Sequence, residues 1–214
     1  MRTSSFNGSR PSRIFAGVPP HGRGQRIGLY GGSFNPPHDG HRQIAVAALN
    51  RLQLDAIWWL VTPGNPLKDR GNLLSLEERM RGTAALAAHP RMPVSGLEAR
   101  LNIRYTADLA ARLRQRLSSV RFVWIMGSDN LASFHQWDRW REIAMSFPIA
   151  VINRPGTLTA PLSSRAARTL SKNRVSGHAA RRLADRIPPA WTFINCRRTD
   201  VSSTDIRQQN GLSS

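Results

Sequence analysis

His38 and His41 stand three residues apart, directly after the stretch Gly31-Gly32-Ser33-Phe34-Asn35-Pro36-Pro37. Two glycines following a strand let the backbone approach a ligand closely, and the paired prolines stiffen the turn. At the start of a helix, residues with this spacing face one side of the first turn. That turn also offers backbone N–H groups and the positive end of the helix dipole. Two imidazoles, these N–H groups and no carboxylate cage suit an anion, and phosphate is the natural one. A metal pair is the competing chemistry, but the zincin pattern requires a glutamate directly after the first histidine, where Asp39-Gly40 stands. The glycines fit neither the P-loop nor the dinucleotide fingerprint, and no serine-centred nucleophile elbow is visible. A single cysteine, Cys196, excludes an internal disulfide framework and a cysteine-rich zinc site.

The flanking segments say how this turn is positioned. Ile27 to Gly31 reads as a short buried strand, and the apolar spacing from His41 to Leu52 as a helix. Ala56 to Thr62 is a second apolar strand closed by Pro63-Gly64. Ser75-Leu76-Glu77-Glu78 is a capping box that opens a helix to about Ala88. Pro90 and Pro93 bracket a weak strand. Leu109, Leu113 and Leu117 predict a helix from Tyr105 to Leu117, and Arg121 to Met126 a strand ending at Gly127. A helix over Trp137–Met145 and a strand over Phe147–Asn153 follow. Residues 154–190 are polar and basic, helical near 177–186, and Trp191 to Asn195 is a last strand. Ser202-Ser203-Thr204 looks like the N-cap of a terminal helix. Short, non-alternating apolar strands separated by helices predict an α/β fold, a Rossmann-like doubly wound parallel sheet with flanking helices. In such sheets ligands sit beyond the carboxyl ends of the strands. The informative stretches are therefore 31–41, 62–68, 127–130, 153–156 and 201–207.

The chain has 214 residues and carries 31 Lys+Arg against 13 Asp+Glu, a net charge of +18. All but two of the cations, Lys68 and Lys172, are arginine, spread along the whole length. Either arginine is simply the default cation here, or the chain handles polyanions. A nucleic-acid-binding module is the rival class, yet no RNA-recognition aromatic pair, zinc-finger spacing or clear helix-turn-helix is present. Residues 1–25 hold Arg2, Arg10, Arg13 and Arg23 with several Ser, Gly and Pro and no acid. They read as a disordered basic extension ahead of a single domain over 26–214. The composition overlaps that of organelle transit peptides, and there is no apolar core of a secretory signal. No run of about 18 apolar residues suggests a membrane span, and the lone cysteine fits a cytoplasmic setting.

The motifs resemble a known family. Gly31-Gly32-Ser33-Phe34-Asn35-Pro36 with His38-Asp39-Gly40-His41 is similar to the signature of the nucleotidyltransferase superfamily that carries the H-x-G-H motif. Val201-Ser202-Ser203-Thr204-Asp205-Ile206-Arg207 resembles the closing motif of pyridine-nucleotide adenylyltransferases. Within that group, Thr62 to Lys68, Arg104-Tyr105-Thr106, Gly127-Ser128-Asp129-Asn130 with Trp137, and Asn153-Arg154-Pro155-Gly156 resemble nicotinate-nucleotide adenylyltransferases. Leu67 departs from that pattern, where many members have a second proline or a polar residue. The resemblance spans roughly residues 26–210.

The reaction this resemblance implies is ATP plus nicotinate mononucleotide giving deamido-NAD and pyrophosphate. Nicotinamide mononucleotide and pantetheine phosphate are alternative acceptors. His38 and His41 would donate to the α-phosphate, and Ser203, Thr204 and Arg207 would hold the leaving pyrophosphate. Gly31, Gly32, Ser33, Phe34 and Gly127 belong to the ATP and phosphate site, with Lys68 as a second clamp. Asp129 has two readings, a bond to ATP or a ribose hydroxyl, and a helix N-cap. Asn35, Thr106 and Trp137 are assigned to nicotinate mononucleotide, the indole stacking on the base and Thr106 meeting the carboxylate through its backbone. Trp58, Trp59, Trp124 and Trp191 read as core. Mg²⁺ would be bound mainly through the ATP phosphates, with no dedicated protein ligands. Homo-oligomerisation is left open.

Overall fold

A computed structural model describes residues 17–64, 73–153 and 160–196. Their strands form one all-parallel sheet: β1 (Arg26–Gly32), β2 (Ala56–Val61), β3 (Val94–Ser95), β4 (Arg121–Gly127), β5 (Ile149–Asn153), β6 (Arg174–Val175) and β7 (Trp191–Asn195). The spatial order is β3-β2-β1-β4-β5-β7-β6. The order runs outward in both directions from β1 and β4, which makes their junction the topological switch point where such sheets bind ligands. The helices are α1 (Asp39–Arg51), α2 (Leu76–Ala87), α3 (Leu97–Arg100), α4 (Thr106–Arg116), α5 (Ser128–Ser133), α6 (Trp140–Ser146) and α7 (Arg165–Thr169).

The central strands are apolar on both faces because both faces are covered. One face of β1, β2 and β4 gives Ile27, Leu29, Trp58, Leu60 and Trp124 to a core shared with α4 and α6. The other gives Tyr30, Ile57, Trp59 and Ile125 to a core shared with α1 and α2. Trp58, Trp59, Trp124 and Trp191 are buried as expected, and Trp140 joins them.

Several boundaries differ from the sequence reading. The strand expected between Pro90 and Pro93 is instead a turn, closed by Met92 N–H to the His89 carbonyl, and β3 starts at Val94. Trp137 lies ahead of its expected helix, because a 3₁₀ turn at Phe134–Gln136 and a left-handed Arg139 delay α6 to Trp140. Helix α5, which the capping reading of Asp129 allowed for, starts at Ser128 with Gly127 as its cap. The stretch near 177–186 is 3₁₀ over Gly177–Asp185. Residues 17–25, assigned to the extension, contact the domain: Gly24 N–H donates to the Ser119 carbonyl, Ser95 Oγ donates to the Gly17 carbonyl, and His21 packs edge-on against Trp58. Residues 1–16 and the closing motif at 201–207 lie outside the described residues. No helix among the described residues is long and apolar enough to cross a membrane.

Candidate active site

At the carboxyl ends of β1 and β4 lies a cavity of about 620 Å³, within the range of small-molecule sites. It collects every described residue that the sequence assigned to a site: Gly31, Gly32, Ser33, Phe34, Asn35, His38, His41, Thr106, Gly127, Asp129 and Trp137. Lys68, Arg154, Ser203, Thr204 and Arg207 lie outside the described residues.

The turn after β1 is shaped by packing. Phe34 is buried with a left-handed backbone, φ 44°. A Cβ on Gly31 would come within 3.0 Å of the Trp124 ring, and one on Gly32 within 3.0 Å of the Phe34 ring. A side chain at either position would therefore press on an aromatic ring that borders the cavity. Pro36 follows through a cis peptide bond. His38 is the extended residue that caps α1, and its backbone N–H donates to His41 Nδ1 at 3.2 Å. That bond uses Nδ1 of His41 as an acceptor, so a neutral ring carries its proton on Nε2, where it is a donor. The two imidazoles lie against each other, tilted by 33° with centroids 3.8 Å apart, and His41 packs edge-on to Phe34 at 5.1 Å. The first turn of α1 thus holds the pair as a unit.

On another wall, Thr106 is the first residue of α4, and its cap, Tyr105, makes no side-chain capping bond. The initial N–H groups of this helix are donors suited to an anion. Trp137 is partly buried and braced by T-shaped contacts with Trp124 (6.5 Å) and Phe134 (5.4 Å). Arg139 ties the two together: Nη2 pairs with Asp108 on α4 at 2.7 Å and Nε with Asp138 at 2.7 Å, beside Trp137. Its bonds to these two carboxylates hold its pKa above the usual arginine value.

A third helix start, α5, has Gly127 as its cap. A Cβ there would run into Asp129 Oδ1. Asp129 lies inside the first turn and is not the N-cap, so of its two sequence readings the capping one fails. In a parallel α/β layer each helix begins near the carboxyl end of the sheet, so α1, α4 and α5 bring three positive dipole ends to one cavity.

Two residues of this region were missed by sequence reasoning. Glu98, on α3, lines the cavity while only 4% exposed. Its Oε1 has no hydrogen-bond partner among the described residues, and burial pushes its pKa up to about 7. Nothing in Leu97-Glu98-Ala99-Arg100 signals this, because the enclosure is entirely tertiary. Arg79, on α2, is 1% exposed. One signal was available: Arg79 stands four and eight residues before Thr83 and Ala87, on the stripe of α2 that faces inward.

The chain matches the cytidylyltransferase-like family model over residues 29–209, a class consistent with a phosphate-binding turn at a switch point. It is 56% identical to the "Probable nicotinate-nucleotide adenylyltransferase" of Brucella suis biovar 1 (strain 1330), over 85% of this chain and 94% of that one. Identity to the protein of the same name from Bradyrhizobium sp. (strain ORS 278) is 53%, over 87% of this chain and 97% of that one. The chain belongs to the nicotinate-nucleotide adenylyltransferase family within the cytidylyltransferase-like class. Its fold is also that of the Plasmodium falciparum nicotinic acid mononucleotide adenylyltransferase complexed with NaAD, with TM-score 0.61 at 18% identity, over 86% of this chain and 83% of that one.

Proposed function

We infer that this protein transfers the adenylyl group of ATP to nicotinate mononucleotide, giving deamido-NAD and pyrophosphate. A phosphate oxygen of the mononucleotide attacks the α-phosphorus of ATP. A new O–P bond forms as the bond from the α-phosphorus to the bridging oxygen breaks, and pyrophosphate leaves with that electron pair. The attacking phosphate is already anionic near neutral pH, so the reaction needs no general base. What the protein supplies is alignment and charge stabilisation.

The observation that carries this reading is the pairing, within one cavity, of the His38–His41 turn with Thr106 and Trp137. His41 Nε2 and the first turn of α1 donate to the α-phosphate. Gly31, Gly32, Ser33, Phe34, Gly127 and Asp129 border the ATP side. Trp137 stacks on the pyridine ring, and the N–H groups at the start of α4 receive the nicotinate carboxylate. Asn35 serves partly elsewhere, since its Oδ1 accepts from the Leu74 N–H at 3.1 Å. Ser203, Thr204, Arg207 and Lys68 are assigned to the polyphosphate on their motifs.

Asp129 lines the cavity on the ATP side, and Mg²⁺ would be bound mainly through the ATP phosphates, where it would neutralise their charge while keeping its waters. A cytoplasmic setting completes the reading, with Cys196 as a buried thiol. Purified protein given ATP, Mg²⁺ and nicotinate mononucleotide should yield deamido-NAD and pyrophosphate in equal amounts. Absence of the dinucleotide product overturns the assignment.

A further inference from the structure

Among the described residues the guanidinium of Arg79 makes four hydrogen bonds, all to backbone carbonyls. Nε–H donates to Leu74 at 3.0 Å, Nη1 to Ser33 at 2.7 Å and Thr62 at 2.8 Å, and Nη2 to Pro63 at 3.2 Å. Among the described residues no carboxylate forms an ion pair with it. Burial pulls its pKa down, yet a guanidinium stays charged in a protein. A buried cation is costly unless its donors are saturated, and charge-assisted bonds of this kind are the stronger sort.

Those carbonyls belong to three separate segments. Ser33 follows β1 and Thr62 follows β2, and both line the cavity. Leu74 leads into α2. Helix α2 and the residue leading into it add two more ties to the same turn. The Leu74 N–H donates to Asn35 Oδ1, and Gly82 lies against Pro37, where a Cβ would come 3.2 Å from the ring. Three of these contacts, at Ser33, Asn35 and Pro37, bear on the stretch that delivers His38 and His41, and the Arg79 bonds to Thr62 and Pro63 fix that stretch against the end of β2. The hydrogen bonds of Arg79 reach neither Thr106 nor Trp137.

We propose that Arg79 is a positioning residue for adenylyl transfer: its fork of carbonyl bonds sets the register of the His38–His41 turn against the loop after β2. The inference rests on the adenylyl-transfer reading above. Lysine cannot replace the fork, because its ammonium is one compact charge without the guanidinium's planar spread of donors.

The test uses Arg79→Lys and Arg79→Gln in the full chain, with folding checked by near-ultraviolet circular dichroism and kinetics run with ATP and nicotinate mononucleotide. Displacing a catalytic turn by about 1 Å can cost about 100-fold in rate, and that loss of kcat is expected in the lysine variant. KM for the mononucleotide should stay within about threefold, since the acceptor wall is untouched. A kcat within about threefold of the parent, or a mononucleotide KM that rises in step with the loss of kcat, overturns the proposal. If neither variant folds, Arg79 is a structural residue and the positioning role is overturned as well. Turnover by the parent with no loss in the variants defeats the role of Arg79 alone. No turnover by the parent defeats the functional reading and this inference with it.

Discussion

Replacing Glu98 by glutamine should change how the stability of the protein depends on pH. Burial raises the carboxyl from 4.5 to about 7 in the folded protein. Below pH 4.5 the group is protonated in both folded and unfolded chains and contributes nothing. Between pH 4.5 and 7 the unfolded chain has released its proton while the folded one retains it, so stability falls as pH rises. Above pH 7 both states are ionised and the full cost of a buried charge is present. At about 1.4 kcal/mol per pH unit, a shift of this size removes about 2–3 kcal/mol between pH 5 and pH 8. Glutamine never ionises. Its amide has its own burial cost, about 1–3 kcal/mol, but that cost is the same at both pH values and cancels. Urea unfolding followed by tryptophan fluorescence at pH 5 and pH 8 gives the change in stability for each protein. The parent should lose about 2–3 kcal/mol more than Glu98→Gln, contributions from His89 and other groups cancelling in the comparison. A difference below about 0.5 kcal/mol would refute the claim that burial raises the Glu98 carboxyl.

Two site variants address the two walls of the cavity. His41→Ala should remain folded while kcat falls about 100- to 1,000-fold, the usual effect of removing one transition-state donor; near-normal turnover in a steady-state assay would contradict the role of the His38–His41 turn. Trp137→Ala should weaken nicotinate mononucleotide by about 5- to 150-fold, the equivalent of about 1–3 kcal/mol of stacking. Titration calorimetry should show ATP affinity much less affected, and equal losses for both ligands would argue against stacking.

The parallel sheet was legible because its strands are apolar runs bounded by glycine, proline or charge, as in Ile27–Gly31 and Ala56–Thr62. The capping box at Ser75 was legible because its chemistry is local, and both of its bonds are present. What failed was short or set by tertiary contact. β3 is two residues long, too short for any period to register. The start of α6 depends on a left-handed Arg139, held by Asp108 from another helix. The cavity followed from the rule that places ligands at the carboxyl ends of strands, and His38, His41, Thr106 and Trp137 all line it. Glu98 and Arg79 escaped because a charged side chain on a short or amphipathic helix reads as solvated; the place of Arg79 on the inward stripe of α2 was a signal, whereas only the packed fold shows Glu98 enclosed. The +18 charge left open whether the chain handles polyanions at all, and the cavity is sized for small ones.

The central claim is an acceptor claim: the uncapped start of α4 beside Trp137 receives a pyridine carboxylate. The most direct measurement compares kcat/KM for nicotinate mononucleotide and nicotinamide mononucleotide, side by side, with saturating ATP and Mg²⁺ and with pyrophosphate release as the readout. A charged partner at a helix start and a charge-assisted bond together predict a preference for the nicotinate form of at least about tenfold. Equal efficiency with the two acceptors, or a preference for the amide, would contradict the account.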